Sequence, residues 1–176
     1  MKKVLAIGGS NSSNSLNKTL ANYIAGQLKD VEIINLDWND FELPLYSADL
    51  EQQNGVHENA IKFKTLIEYT DVIVLSLAEH NGLPSAAFKN LWDWTSRIDK
   101  KFWSYKPLFL AATSTGVGGG VNVLKVVKEM IPHFGGNVIE YFSLPSFYKN
   151  FSEGKIMDVD KQSELDQKIQ VFQDSI

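Results

Sequence analysis

The sequence predicts an α/β protein: a five-stranded parallel sheet of order 2-1-3-4-5, with helices on both faces. Three observations predict it. Short apolar runs alternate with segments of helical periodicity along the whole chain. The run Asp71-Val72-Ile73-Val74-Leu75-Ser76-Leu77 is apolar almost without interruption, the mark of a strand covered on both faces. Five such strands in 176 residues suit a single doubly wound domain spanning residues 1–176.

The elements follow in order. Residues 4–7, Val-Leu-Ala-Ile, form the first strand. Leu16, Leu20, Tyr23, Ile24 and Leu28 share one face of a helix over 16–28. Residues 31–36 are the second strand. Residues 37–55 are irregular and polar, and contain Pro44. Helical spacing returns over 57–69 at Ile61, Phe63, Leu66 and Ile67. The third strand, 71–77, leads to a helix over 85–98. The fourth strand, 107–112, leads through the glycine-rich stretch 113–120 to a helix over 121–131. A fifth strand, 137–142, and a polar helix, 161–174, close the pattern. All five strands are expected to be buried.

Composition narrows the function. Hydrophobic residues make up 44% of the chain, enough for a proper core. A net charge of −4 argues against nucleic acid as a partner. The absence of cysteine excludes disulfides, thiolate metal sites and thiol nucleophiles. No metal cluster is expected. No apolar run approaches the ~18–20 residues of a membrane span, and residues 4–7 are too short for a signal-peptide core. The expectation is a cytoplasmic protein that works on small molecules.

In a sheet of this order, ligands bind beyond the carboxyl ends of the strands, at the switch point. Three loops are therefore candidates, those after strands one, three and four. The first is Gly8-Gly9-Ser10-Asn11-Ser12-Ser13-Asn14-Ser15-Leu16-Asn17. It is longer than the ~2–6 residues of an ordinary βα loop and almost wholly hydrogen-bonding. It opens a helix, whose first N–H groups lack partners and carry partial positive charge, so it suits an anion. The second is Ala78-Glu79-His80-Asn81-Gly82-Leu83-Pro84, and the third is Ser114-Thr115-Gly116-Val117-Gly118-Gly119-Gly120. Taken singly, each also reads as a polar connection or turn. Taken together, they lie on one sheet edge.

These motifs resemble the NADPH-dependent FMN reductases, a family of flavodoxin-like three-layer sandwiches. It includes bacterial flavin, quinone, azo-dye and chromate reductases. The family's first loop, G-S-x-R-x-x-S-x-N, fits Gly9 to Asn17 except that Ser12 replaces the arginine. Its second loop, P-E-Y-N-G-x-x-P-x-x-x-K-N-x-x-D-W, is echoed by Glu79, Asn81, Gly82, Pro84, Lys89-Asn90 and Asp93-Trp94. There Ala78 replaces the first proline, His80 replaces the tyrosine, and the spacing before the second proline is one residue shorter. Its third loop, S-x-G-x-x-G-G, fits Ser114 to Gly120. The resemblance spans residues 2–141.

The resemblance implies that Ser10, Ser12, Ser15, Leu16 and Asn17 hold the FMN phosphate. It implies that Ala78, Glu79, His80, Asn81 and Gly82 lie along the isoalloxazine, bordered by Ser114, Thr115, Gly116 and Gly119. Serine cannot give the charged, bidentate grip of arginine. Hydrogen bonds to a charged group contribute about 1.5–3 kcal/mol each, so hydroxyls, Asn17 and helix N–H groups suffice for binding. Flavodoxins resemble this solution, with hydroxyl-rich loops and no cation.

The chemistry implied is hydride transfer from NADPH or NADH to FMN, then reduction of a small electron acceptor. No side chain need act as acid or base; His80 either fills the family's aromatic position or gives a proton to a quinone. Arg97, Lys18, Lys89 and Lys149 are the candidate partners of an NADPH 2′-phosphate. The resemblance also implies a homodimer or dimer of dimers, with Leu45 and Tyr46 rimming the partner's site. Residues 146–154 are a lid or a surface excursion. A non-catalytic flavodoxin-like electron carrier or FMN-binding protein is the alternative. Ala112-Thr113-Ser114-Thr115-Gly116 also has the form of an esterase nucleophile elbow, with His133 as the one histidine after it.

Overall fold

A computed structural model describes residues 1–176. Strand β1 (Lys2–Gly9) leads to α1 (Leu16–Gly26), β2 (Val31–Asn35), a 3-10 turn (Trp38–Phe41), α2 (Ala48–Asn54) and α3 (Glu58–Tyr69). Strand β3 (Val72–Leu77) is followed by a two-rung ribbon, β4 (Glu79–His80) and β5 (Leu83–Pro84), and then α4 (Ala86–Thr95). Next come β6 (Pro107–Thr113), α5 (Val121–Met130), a 3-10 turn (Ile131–Phe134) and β7 (Asn137–Leu144). A helical turn, α6 (Phe147–Asn150), a second ribbon, β8 (Phe151–Ser152) and β9 (Lys155–Ile156), and α7 (Val159–Ser175) complete the chain.

The main sheet runs β2-β1-β3-β6-β7 with every pair parallel, which is the predicted order. Side chains alternate across it with period two. Leu5, Ile7, Ile73, Leu75 and Leu110 pack with Phe63, Phe88, Leu91 and Val127, under α3, α4 and α5. Val4, Ala6, Val74, Phe109 and Ala111 pack with Leu20, Ile24, Leu165 and Phe172, under α1 and α7. All six residues of β3 are buried, as its unbroken apolar run requires.

β2 departs from expectation, because its residues are exposed or half-buried and Ile33 is 38% exposed. It is an edge strand with one neighbour, and its charged Glu32 suits an edge that must not pair further. Residues 37–55, predicted irregular, carry a 3-10 turn and α2. A strap holds them to α4. Asn90 accepts from Tyr46 N at 2.8 Å and donates to Pro44 O at 3.0 Å, while Trp94 Nε1 donates to Pro44 O at 2.8 Å.

Candidate functional site

The carboxyl ends of β1, β3 and β6 bring the three predicted loops to one edge of the sheet. In the first, Ser15 caps α1, its Oγ accepting from Lys18 N at 3.1 Å. Ser10 Oγ accepts from Ser12 N at 3.2 Å, and Ser12 and Ser13 are exposed. Leu16 opens α1, whose first turn contains no acidic residue to compete with an anion. A Cβ on Gly8 would collide with the Lys18 backbone nitrogen, so only glycine lets α1 start this close to β1. A small pocket of ≈140 Å³ lies here, lined by Gly8, Ser10, Ser12, Ser13, Lys18 and Asp37 among others. Lys18 Nζ meets Asp37 Oδ2 at 3.1 Å. The Asn39 N–H and then Lys18 hold the Asp37 carboxyl below its usual range.

The second loop is a tight hairpin. His80 pairs with Leu83, and Asn81 and Gly82 take φ of 53° and 81°, the two positive values of a type I′ turn. His80 and Asn81 are exposed at its tip, and Ala78 is buried at its base. In the third loop, Ser114 Oγ donates to Gly116 O at 3.3 Å, while Thr115 and Gly116 are exposed. Gly119 has φ 58°, and an added Cβ would lie 2.6 Å from Ser143 Oγ. Ser143 Oγ in turn donates to Gly119 O at 3.0 Å.

Three side chains tie these loops in pairs. Asn17 joins the first loop to the strand ends beside it: its Oδ1 accepts from Ser76 Oγ at 2.7 Å and Thr113 N at 3.0 Å. Its Nδ2 donates to Thr113 O at 3.2 Å. Glu79 joins the second loop to the helix after the third. Its carboxylate accepts from Asn122 N and Val123 N, both at 3.0 Å, and from Asn122 Nδ2 at 3.1 Å. Ser85, buried at the start of α4, donates to Gly9 O at 2.8 Å and joins the second loop to β1.

Asn17 has a structural role as well. Its side chain is buried and bonded to the protein frame, because an amide can mimic a peptide and pair with both groups of Thr113. It ties the first loop to the ends of β3 and β6. The Glu79 carboxylate likewise faces α5. Sequence reasoning missed Ser85 and Ser143; the one available signal was a serine at a helix start.

Residues 146–154 are resolved as a buttress. Ser146 N donates to Gly116 O at 2.8 Å and Phe147 N donates to Ser114 O at 2.9 Å, locking the third loop against α6. Phe147 stacks on Phe151 with ring centroids 4.9 Å apart. Topology removes the esterase reading. Ser114 follows the carboxyl end of β6, whereas His133 precedes β7 at the opposite edge of the sheet.

A second groove of ≈540 Å³ opens beside Asn11, walled by Trp38, Phe41, Leu43, Pro44 and Ala87. The strap from Asn90 and Trp94 holds its Pro44 wall. Of the candidate cations, Arg97 is committed to Glu51 (Nε to the two carboxylate oxygens at 3.0 and 2.9 Å) and Lys89 to Asp93 at 2.6 Å.

The family model described as NADPH-dependent FMN reductase matches residues 2–149 of the chain. The chain belongs to this family. An NADPH azoreductase of Bacillus sp. (strain OY1-2) is 31% identical over 137 residues, covering 78% of this chain and 72% of that protein. A quinone reductase of Escherichia coli (strain K12) is 29% identical over 109 residues, 56% of this chain and 58% of that protein. The fold superposes on a flavoenzyme NAD(P)H:(acceptor) oxidoreductase of Paracoccus denitrificans with a TM-score of 0.76 at 26% identity. That match covers 99% of this chain and 96% of the other. This FMN reductase family member is thus an oxidoreductase, and the reductase reading is favoured over a non-catalytic electron carrier. The hydroxyl-lined pocket at the first loop fits the phosphate of such a cofactor. No helix is long and apolar enough to cross a membrane.

Proposed function

We propose that this protein binds FMN across the three loops and uses NAD(P)H to reduce a small flavin, quinone or azo acceptor. The observation that carries the reading is the pairwise tying of the loops by Asn17, Glu79 and Ser85, which preorganises one rigid cradle at the switch point. Ser10, Ser12 and the N–H groups beginning at Leu16 hold the phosphate, with Ser15 shaping the turn. The backbone from Ala78 to Gly82 and from Ser114 to Gly119 borders the ring. FMN, when bound, supplies the hydride chemistry. The chain's own residues bind, orient and exclude water, so none of them need move a proton.

Lys89 and Arg97 each pair with a carboxylate, and the exposed Lys149 has no ion-pair partner. These residues do not converge on one 2′-phosphate pocket, and turnover with both NADH and NADPH is expected. The groove beside Asn11, with Trp38, Phe41 and Leu43 among polar Asn39, Glu42 and Asn90, suits a planar acceptor that carries polar groups. Leu45 at 80% and Leu83 at 56% exposure support a second copy covering this edge as a homodimer.

The test is the absorbance spectrum of the purified protein saturated with FMN, followed by NADH or NADPH oxidation with a quinone. Protein-bound flavin bands and turnover with both donors are expected. Free flavin only, after gel filtration from saturating FMN, would overturn the reading.

A further inference from the structure

The family arginine is absent at Ser12, yet the pocket that this serine lines is not without a cation. Lys18 is the one basic residue among the pocket's lining residues. It comes from the first turn of α1 and shares the pocket with Ser10, Ser12 and Ser13. We propose that Lys18 is the counter-cation of the FMN phosphate in this chain, and that Asp37 holds it ready. The inference rests on the FMN reading above.

The two members of the pair are held unequally. Asp37 Oδ1 accepts from both Asn39 N at 3.0 Å and Asn39 Nδ2 at 2.9 Å, and Asp37 caps the 3-10 turn. The carboxylate is therefore anchored. Lys18 touches it at the end of a flexible four-carbon stem, through Asp37 Oδ2 alone. The two side chains are 38% and 47% exposed, so water screens their attraction and the pair is weak. A phosphate dianion offers Lys18 twice the charge and shorter, stronger hydrogen bonds. The ammonium shifts from carboxylate to phosphate, or bridges both, without any change in the backbone. Asp37 then stands beside the phosphate as an uncompensated anion and lowers its affinity. The arrangement trades some affinity for a lysine that is already oriented before the ligand arrives.

The experiment is fluorescence titration of FMN and of riboflavin, which lacks the phosphate, into wild type, Lys18→Met and Asp37→Asn. Lys18→Met should weaken FMN about 10–100-fold, the loss of one charge-assisted contact, and change riboflavin by less than about twofold. Asp37→Asn keeps the acceptor for Asn39 and removes the competing anion. It should tighten FMN by about 3–10-fold and make binding more sensitive to salt. Adding Ser12→Arg to Lys18→Met should bring FMN affinity back to within about threefold of wild type. If Lys18→Met binds FMN as wild type does, Lys18 is not the counter-cation, although the FMN reading stands. If wild type binds neither flavin, that reading fails and this inference with it. Weaker FMN binding by Asp37→Asn would overturn the proposal that Asp37 competes, and would hold even if Lys18→Met failed to fold.

Discussion

Glu79 closes a gap that the chain leaves at the start of α5. The N-cap there is Gly120, at φ 78°, with no side chain to offer the helix. The Glu79 carboxylate reaches across and takes the N–H groups of Asn122 and Val123. Its negative charge also meets the positive end of the helix dipole. A capping side chain is worth about 1–2 kcal/mol, so Glu79→Ala is expected to lose that much stability in urea unfolding. Glu79→Gln keeps an acceptor and should lose about half as much, by removing only the charge. FMN affinity should fall with both, because the third loop is set by where α5 begins. An unchanged unfolding midpoint in Glu79→Ala would show that the cap is idle. A different residue-scale feature is the pair of indole N–H groups of Trp92 and Trp103, which are buried without a hydrogen-bond acceptor. Both rings sit among edge-to-face neighbours, with Trp92 centred 5.1 Å from Phe102 and 4.9 Å from Phe134.

At the scale of elements, the strap between residues 43–54 and α4 decides the shape of the groove beside Asn11. Asn90→Ala removes the bonds to Tyr46 N and Pro44 O, and should cost about 1–3 kcal/mol. The local signature matters more: amide exchange at Tyr46 and proteolysis within 43–54 should rise before global unfolding begins. A protease pattern identical to wild type would mean that Trp94 alone holds the strap. The far end of the strap is electrostatic. Arg97 first, and then the Tyr46 hydroxyl, hold the Glu51 carboxyl below its usual range. A depressed carboxyl stabilises the fold at every pH above its unfolded value, near about 4.3, and loses that contribution as pH falls through the lower folded value. The strap should therefore stay closed through neutral and mildly acidic pH and loosen only in stronger acid, read as faster exchange at 46–51. Loosening already near neutral pH would contradict the pairing. The sequence shows these residues as letters of the K-N-x-x-D-W motif, but not as a strap. Asn90 and Trp94 bond to partners 44 to 50 positions away, and periodicity carries only local information.

For the whole molecule, strand order and layers were legible because β3 is unbroken apolar sequence and the pattern of strand and helix never lapses. The burial of β2 was misread because Val31, Ile33 and Ile34 read as core, whereas the strand lies at the sheet edge with one neighbour. The three loops were legible from their small and polar residues. What those side chains do was not, since a hydroxyl or amide serves a ligand and a buried frame equally well. Asn17 is the sharpest case, and it joins the scales. It stands on α1 yet satisfies the hydroxyl of Ser76 and both peptide groups of Thr113, all buried, at the ends of β3 and β6. Asn17→Ala strands those groups away from water, at about 1–3 kcal/mol for each that finds no other partner. A total loss of about 2–5 kcal/mol is expected, seen as one lowered urea midpoint by both tryptophan fluorescence and far-ultraviolet circular dichroism. Asn17→Asp keeps both accepted bonds but turns an oxygen toward Thr113 O, and should not recover the loss. Saturating FMN should raise the midpoint of Asn17→Ala as it raises that of wild type, because the ligand binds only the folded chain. If instead Asn17→Ala keeps the wild-type midpoint and loses only FMN affinity, the side chain belongs to the ligand and not to the frame.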